Sequence, residues 1–176
     1  MNPRRREALI LGAAGIAATA AGFLVGPLLL QLGGKSRSAI ASASFPDLTG
    51  RVRSLSEWND RILVCNFWAT WCGPCREEIP LLIEIRGKMR SLGVEVVGIA
   101  IDNAAKVQQY AANFSIPYPV LLAEGDGLDL MRRLGNSSGG LPYTVVVARS
   151  GDIVATKLGA YKPGELDQVL RPLTSA

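Results

Sequence analysis

The stretch RILVCNFWATWCGPCREEIP, residues 61–80, decides the fold. It opens with a continuous apolar run of strand length over 61–68, the pattern of a central strand covered on both faces. A charged run follows, with Ile79, Leu82, Ile83, Arg86 and Met89 at helical spacing. That spacing predicts a helix from about Cys72 to Arg90, stopped by Gly93. At the junction stand Cys72 and Cys75, two residues apart. The unpaired N–H groups and partial positive charge of a helix start stabilise a thiolate there, so Cys72 is the expected nucleophile. Cys75 lies one turn further on the same face, placed to resolve a mixed disulfide formed by Cys72. Gly73 and Pro74 suit the loop, because proline is tolerated in the first helical turn and its ring restricts the segment between the sulfurs. Trp71 is expected to shield the pair and offer a flat surface to a partner, and Pro80 to kink the helix.

The chain has 176 residues, three cysteines and no histidine. Ser-His-Asp and Cys-His catalysis and histidine-ligated zinc or haem are thereby excluded, which leaves thiols, carboxylates and backbone. A zinc site within the chain would need Cys65 and a carboxylate besides the pair, so no metal is expected. A static disulfide is the bland alternative to a cycling redox pair. Cys65, inside the apolar run, reads as a buried small hydrophobe, and Phe67 and Trp68 as core. Glu77 reads as a solvated helix face with favourable charge near the N-terminus. Net charge is +4, of which Arg4, Arg5 and Arg6 supply three units, so the basic balance does not argue for nucleic acid.

Residues 1–32 read as a membrane anchor or signal segment, with three arginines before an uncharged run from Ala8 to Gly34. The positive-inside bias keeps the arginines cytoplasmic and exports the rest. Small-x-small sites at Ala39-Ile40-Ala41 and Ala41-Ser42-Ala43 leave a cleaved signal open, and Arg5-Arg6 leaves twin-arginine export open. Residues 33–44, GGKSRSAIASAS, read as a flexible linker, and 45–174 as one domain. Within it, 94–101 reads as a second strand, 104–113 as a helix and 118–123 as a short strand. The runs YTVVVAR and DIVATKL form a hairpin about Ser150-Gly151, and PGELDQVLRPL closes the chain as a helix. The order β-α-β-α-β-β-α calls for a mixed sheet flanked by helices.

The run FPDLTGRVRSLSEWNDRILVCNFWATWCGPCREEIP, 45–80, resembles the TlpA/ResA group of membrane-anchored thioredoxin-like thiol-disulfide oxidoreductases. The resemblance continues through GVEVVGIAID, PYPVLL, GLPYTVVVARSGDIV and Gly159, covering roughly 45–171. It implies an α/β thioredoxin fold with an extra N-terminal strand pair at 48–56. Pro142 matches the cis-proline beside the cysteine pair, which leaves the backbone of Leu141 free for a substrate strand, and Tyr143 would flank that site. Glu78 matches an acidic residue that tunes thiol pKa and moves protons. Asn66 stands where thioredoxins carry a buried aspartate, which shifts proton transfer toward Glu78 or water. The resemblance further implies a protein disulfide reductase with no cofactor beyond the Cys72–Cys75 pair. Its clients would be exported proteins such as apocytochrome c or copper-site proteins, and its electron source a membrane donor of the DsbD/CcdA type. It would sit in a bacterial cytoplasmic membrane with the domain on the periplasmic side, a cleaved soluble form being the alternative. A disulfide oxidase or isomerase, and a metallochaperone or interaction module using the fold as a scaffold, remain open beside this reading.

Overall fold

The structure is a computed structural model, and it describes residues 39–175. The anchor or signal reading of 1–32 lies outside these residues; among them, no helix is long and apolar enough to cross a membrane.

Five strands form the central sheet: β3 (Ile62–Trp68), β4 (Val94–Ala100), β5 (Val120–Leu122), β6 (Tyr143–Val147) and β7 (Ile153–Leu158), in the order β5-β4-β3-β6-β7. β3 pairs parallel with β4 and antiparallel with β6, so the sheet is mixed as the pattern predicts. Every residue of β3 and β4 is buried, which explains why both runs are apolar except at Asn66 and Glu95. Because side chains alternate, Leu63, Cys65 and Phe67 enter one core layer, while Ile62, Val64 and Trp68 enter the other.

The second of these layers receives helix α1 (Gly73–Met89) through Cys75, Ile79, Leu82, Ile85 and Met89. Helix α2 (Ala104–Asn113) adds Val107, and the closing helix α4 (Glu165–Thr174) adds Leu166 and Leu170. α1 runs as one element through Pro80, which faces solvent. Gly93, at φ 87°, ends the 3₁₀ turn after α1 in the left-handed conformation that favours glycine, as its reading as a stop requires. Glu95, buried on β4, is held by an ion pair with Arg86 of α1.

Three local expectations are corrected. The linker read over 33–44 gives way to the domain before its end: Ala39, Ile40 and Ala43 are buried in the first core layer with Phe45, Leu55 and Trp58. Apolar residues at those positions have a sheet face to cover, so the domain begins upstream of Phe45. The extra strand pair, read at 48–56, consists of β1 (Ser44–Pro46) and β2 (Val52–Ser54), joined by a turn in which Asp47 Oδ1 accepts the Thr49 and Arg51 N–H groups. Finally, a helix was not anticipated at α3 (Asp126–Arg133), where glycines flank and interrupt the pattern. α3 buries Leu130 and Met131 in the first layer. Gly127 lets it approach, since a Cβ there would lie 2.9 Å from the Ala123 Cβ.

Candidate active site

β3 delivers the chain to the rim of the sheet at Trp68, and a short loop turns it into α1. Asp102, at the end of the neighbouring β4, ties this loop down: its Oδ2 accepts from Thr70 N–H at 3.0 Å and from the Thr70 hydroxyl. Burial raises the Asp102 carboxyl, but the hydrogen bonds from Thr70 and Asn103 outweigh it and leave it below the ordinary carboxylate value. Ala69 C=O accepts from Cys72 N–H at 3.2 Å. The loop therefore reaches Cys72 in a fixed orientation.

Cys72 occupies the N-cap of α1 and is joined by a disulfide to Cys75 in its first turn, with Cα atoms 5.3 Å apart. Cys72 Sγ accepts the Cys75 N–H at 3.3 Å, the helix-start donor expected to favour a thiolate at this sulfur. Cys72 retains 6% of its surface and Cys75 only 1%, so the residue read as the nucleophile is the more accessible of the two. Trp71 is 67% exposed beside them, as a surface for a partner requires. On the α2 side of the pair, Gly73, Arg76 and Glu77 border an open groove whose far wall is the stacked rings of Tyr110 and Phe114.

Glu78 lies on the buried face of α1 and is 1% exposed. Its Oε1 accepts from Tyr161 N–H at 2.8 Å and its Oε2 from Asn66 Nδ2 at 2.9 Å. Asn66 Nδ2 also donates to Thr144 Oγ1 at 2.9 Å; Asn66 and Thr144 are register partners across β3 and β6. Burial pushes the Glu78 carboxyl up, against the opposing influence of Tyr161 N–H, the Asn66 amide and the Lys157 charge. A carboxyl so placed can take up and release a proton near the cysteines.

The Leu141–Pro142 peptide bond is cis. Phe67 pairs with Tyr143, so Leu141 and Pro142 lie at the same end of the sheet as the loop that carries Cys72. Leu141 packs against the core layer containing both cysteines. Pro142 C=O is taken by Gly159 N–H at 2.8 Å, whereas no hydrogen bond among the described residues uses the Leu141 N–H or C=O. The preceding loop is organised by Asn136, whose amide donates to Gly140 C=O and accepts from Gly139 N–H and the Ser138 hydroxyl.

The structure thus gathers Cys72, Gly73, Pro74, Cys75, Glu78, Trp71, Leu141 and Pro142 at one end of the sheet. Tyr143 is corrected: strand alternation turns it into the opposite core layer, where its hydroxyl donates to Leu134 C=O at 2.7 Å and its ring lies 6.1 Å from Phe67. It is buried and does not face a substrate. Cys65 is fully buried in that same opposite layer, its thiol pushed up to about 12 by burial, which fits an inert packing role. Phe67 and Trp68 are core. Thr144 and the backbone of Tyr161 were not anticipated. Each meets its partner across 78 or more residues of chain, and nothing local in the sequence marks them.

The Redoxin family matches residues 35–170 of the chain. The thiol-disulfide oxidoreductase ResA of Bacillus cereus is 25% identical over 155 residues, covering 87% of this chain and 84% of the relative. Among solved structures, a thiol:disulfide interchange protein of the thioredoxin family from Chlorobium tepidum superposes with a TM-score of 0.66 at 28% identity, covering 75% of this chain and 92% of the other. A secreted thiol-disulfide isomerase from Corynebacterium glutamicum shares the fold, with a TM-score of 0.70 at 22% identity over 76% of this chain and 84% of the other. The architecture is thioredoxin-like: a central mixed sheet with flanking helices.

Proposed function

The chain belongs to the Redoxin family, among the thioredoxin-like thiol-disulfide oxidoreductases of the ResA/TlpA type, and from that premise we propose that it reduces disulfides in exported proteins. The observation that carries the proposal is the Cys72–Cys75 disulfide at a helix start, with the backbone of Leu141, which no hydrogen bond among the described residues uses, at the same end of the sheet. A client strand can pair with Leu141 while its disulfide approaches Cys72.

The cycle begins from the dithiol. The Cys72 thiolate attacks one sulfur of a client disulfide, forming a Cys72–client bond and releasing the other client sulfur as a thiolate that takes a proton. Cys75 then loses its proton to Glu78 and attacks Cys72 Sγ. The mixed disulfide breaks, the client leaves with both sulfurs reduced, and the enzyme is left with the Cys72–Cys75 bond. Two electrons have passed from enzyme to client, and no bound metal or cofactor is needed. Trp71 and the half-buried Leu141 form the contact surface, the buried Pro142 fixes the chain beside them, and Gly73-Pro74 holds the sulfurs within reach of each other.

The oxidised form is reset by a membrane thiol donor of the DsbD/CcdA type. Clients are apocytochrome c or the cysteines of copper sites. The N-terminal segment, as anchor or signal, delivers the domain to the periplasmic side of a bacterial cytoplasmic membrane. Gly73-Pro74 supports the reducing direction, since it is the dipeptide of thioredoxin, whose potential is about −270 mV against about −120 mV for a strong oxidant.

Cys75→Ser, expressed from the full chain, is expected to accumulate mixed disulfides on Cys72, because the resolving attack is lost. Non-reducing electrophoresis and mass spectrometry of the trapped species identify the client. Apocytochrome c or a copper-site protein supports the proposal. Adducts confined to proteins awaiting their first disulfide would favour an oxidase instead.

A further inference from the structure

A single nitrogen, Asn66 Nδ2, supplies both hydrogen bonds at the inner end of the site, to Glu78 Oε2 and to Thr144 Oγ1, each at 2.9 Å. This arrangement suits an ionised Glu78, because a carboxylate only accepts and the Thr144 oxygen accepts as well. A protonated Glu78 presents an O–H and needs an acceptor. Rotating the Asn66 amide by half a turn brings Oδ1 to the place of Nδ2. There it accepts from the Glu78 O–H and, once the Thr144 hydroxyl has swung round, from the Thr144 O–H.

The same three side chains therefore close the same two contacts in both protonation states, with Oδ1 in the place of Nδ2 and the donors and acceptors exchanged. No hydrogen bond among the described residues uses Asn66 Oδ1, so the rotation exchanges the two Nδ2 bonds without giving up a third, and it carries the NH₂ group to a place where no acceptor among the described residues meets it. The Tyr161 N–H bond to Glu78 Oε1 is compatible with either state. A fixed donor in place of Asn66 would serve the carboxylate alone, and a fixed acceptor the acid alone. Each would leave a buried group unsatisfied in the other state. All three side chains are buried, with Thr144 at 0% exposure, so water is poorly placed to substitute.

We propose that Asn66 and Thr144 are positioning residues that let Glu78 gain and lose its proton in place, by reversing the direction of two hydrogen bonds. The proposal rests on the reading of Glu78 as proton carrier for the cysteine pair. The other groups facing Glu78 are Lys157 of β7, Tyr118 ahead of β5 and Tyr161 ahead of α4, with Cys75 one turn back on α1 and Cys72 at its N-cap. Lys157 is itself paired with Glu165 of α4. Among the described residues no hydrogen bond joins any of these side chains to Glu78, whose one side-chain partner is Asn66.

The test uses the oxidised protein, so that no thiol titrates beside Glu78. The carbonyl infrared band of protonated Glu78, assigned by its loss in Glu78→Gln, is followed with pH, together with the Asn66 side-chain NH₂ signals by ¹⁵N NMR. In the wild type both should titrate with one midpoint. Thr144→Val leaves an Asn66 N–H without an acceptor when Glu78 is ionised, but still lets Oδ1 accept from protonated Glu78. The loss falls on the ionised state, so the midpoint should rise by about one pH unit. Thr144→Ser should restore it. Thr144→Ala replaces the valine variant if that one fails to fold by circular dichroism. An unchanged midpoint without the hydroxyl, a serine variant that shifts as much as valine, or an Asn66 signal indifferent to the Glu78 titration would each overturn the proposal. Failure of the underlying reading looks different: Glu78→Gln would leave the pH profile of disulfide exchange unaltered, while the infrared and NMR midpoints still decide the roles of Asn66 and Thr144.

Discussion

Cys72→Ser is expected to abolish disulfide exchange, with a loss of at least roughly three orders of magnitude in the rate of client reduction. An alcohol in place of the thiol cannot attack sulfur at neutral pH, and Cys75, with 1% exposure, has no surface from which to replace it. Cys65 cannot replace it either, because it lies in the opposite core layer. The contrast with Cys75→Ser makes the result diagnostic. That variant keeps the first attack and loses only the second, so stoichiometric labelling of Cys72 by a disulfide reagent survives while turnover does not. Stopped-flow reduction of a model disulfide peptide reads both. A metallochaperone or interaction module would retain its function in Cys72→Ser.

Glu78→Gln carries the next largest effect. If Glu78 takes the proton of Cys75, its removal should slow the resolving step by about a hundredfold at neutral pH. Burial raises the Glu78 carboxyl above its ordinary value of 4.5, so wild-type turnover should climb as pH rises through that raised value and the base becomes available. The glutamine variant should lack this limb, the two proteins converging in acid and again where Cys75 ionises unaided.

Stability should move the other way. A carboxyl raised in the folded state binds more protons there than in the unfolded chain, so its effect is to lower stability as pH rises from the unfolded value through the folded one. Above that window the oxidised Glu78→Gln protein should be the more stable, by about 1.4 kcal/mol per unit of elevation, with the difference vanishing in acid. Thermal unfolding of the two oxidised proteins across pH measures it.

The stretch 61–80 made the centre of the fold legible because its signals are local: an apolar run, a helix-start pair of cysteines, and a helical face. The two central strands, α1, α2 and the β6–β7 hairpin follow from such patterns with boundaries close to those observed. α3 escaped because Gly125 and Gly127 disguise an amphipathic turn whose close packing on Ala123 requires the glycine. The buried network escaped for another reason. Its members Asn66, Glu78, Thr144 and Tyr161 come from β3, α1, β6 and the segment before α4, and only the closed sheet brings them together. Tyr143 shows the same limit at the scale of one residue. Proximity to Pro142 in the chain suggested a substrate contact, but strand alternation assigns that face of the sheet to Thr144 and turns the tyrosine into the core beneath.

The most direct measurement is the reduction potential of the Cys72–Cys75 couple, obtained by equilibrating the purified protein with glutathione or dithiothreitol buffers and quantifying the two thiols. A client reductase should lie in the thioredoxin region, at about −270 mV. A value well above about −200 mV, toward the roughly −120 mV of a strong oxidant, would contradict the reductase and make the protein a donor of disulfides.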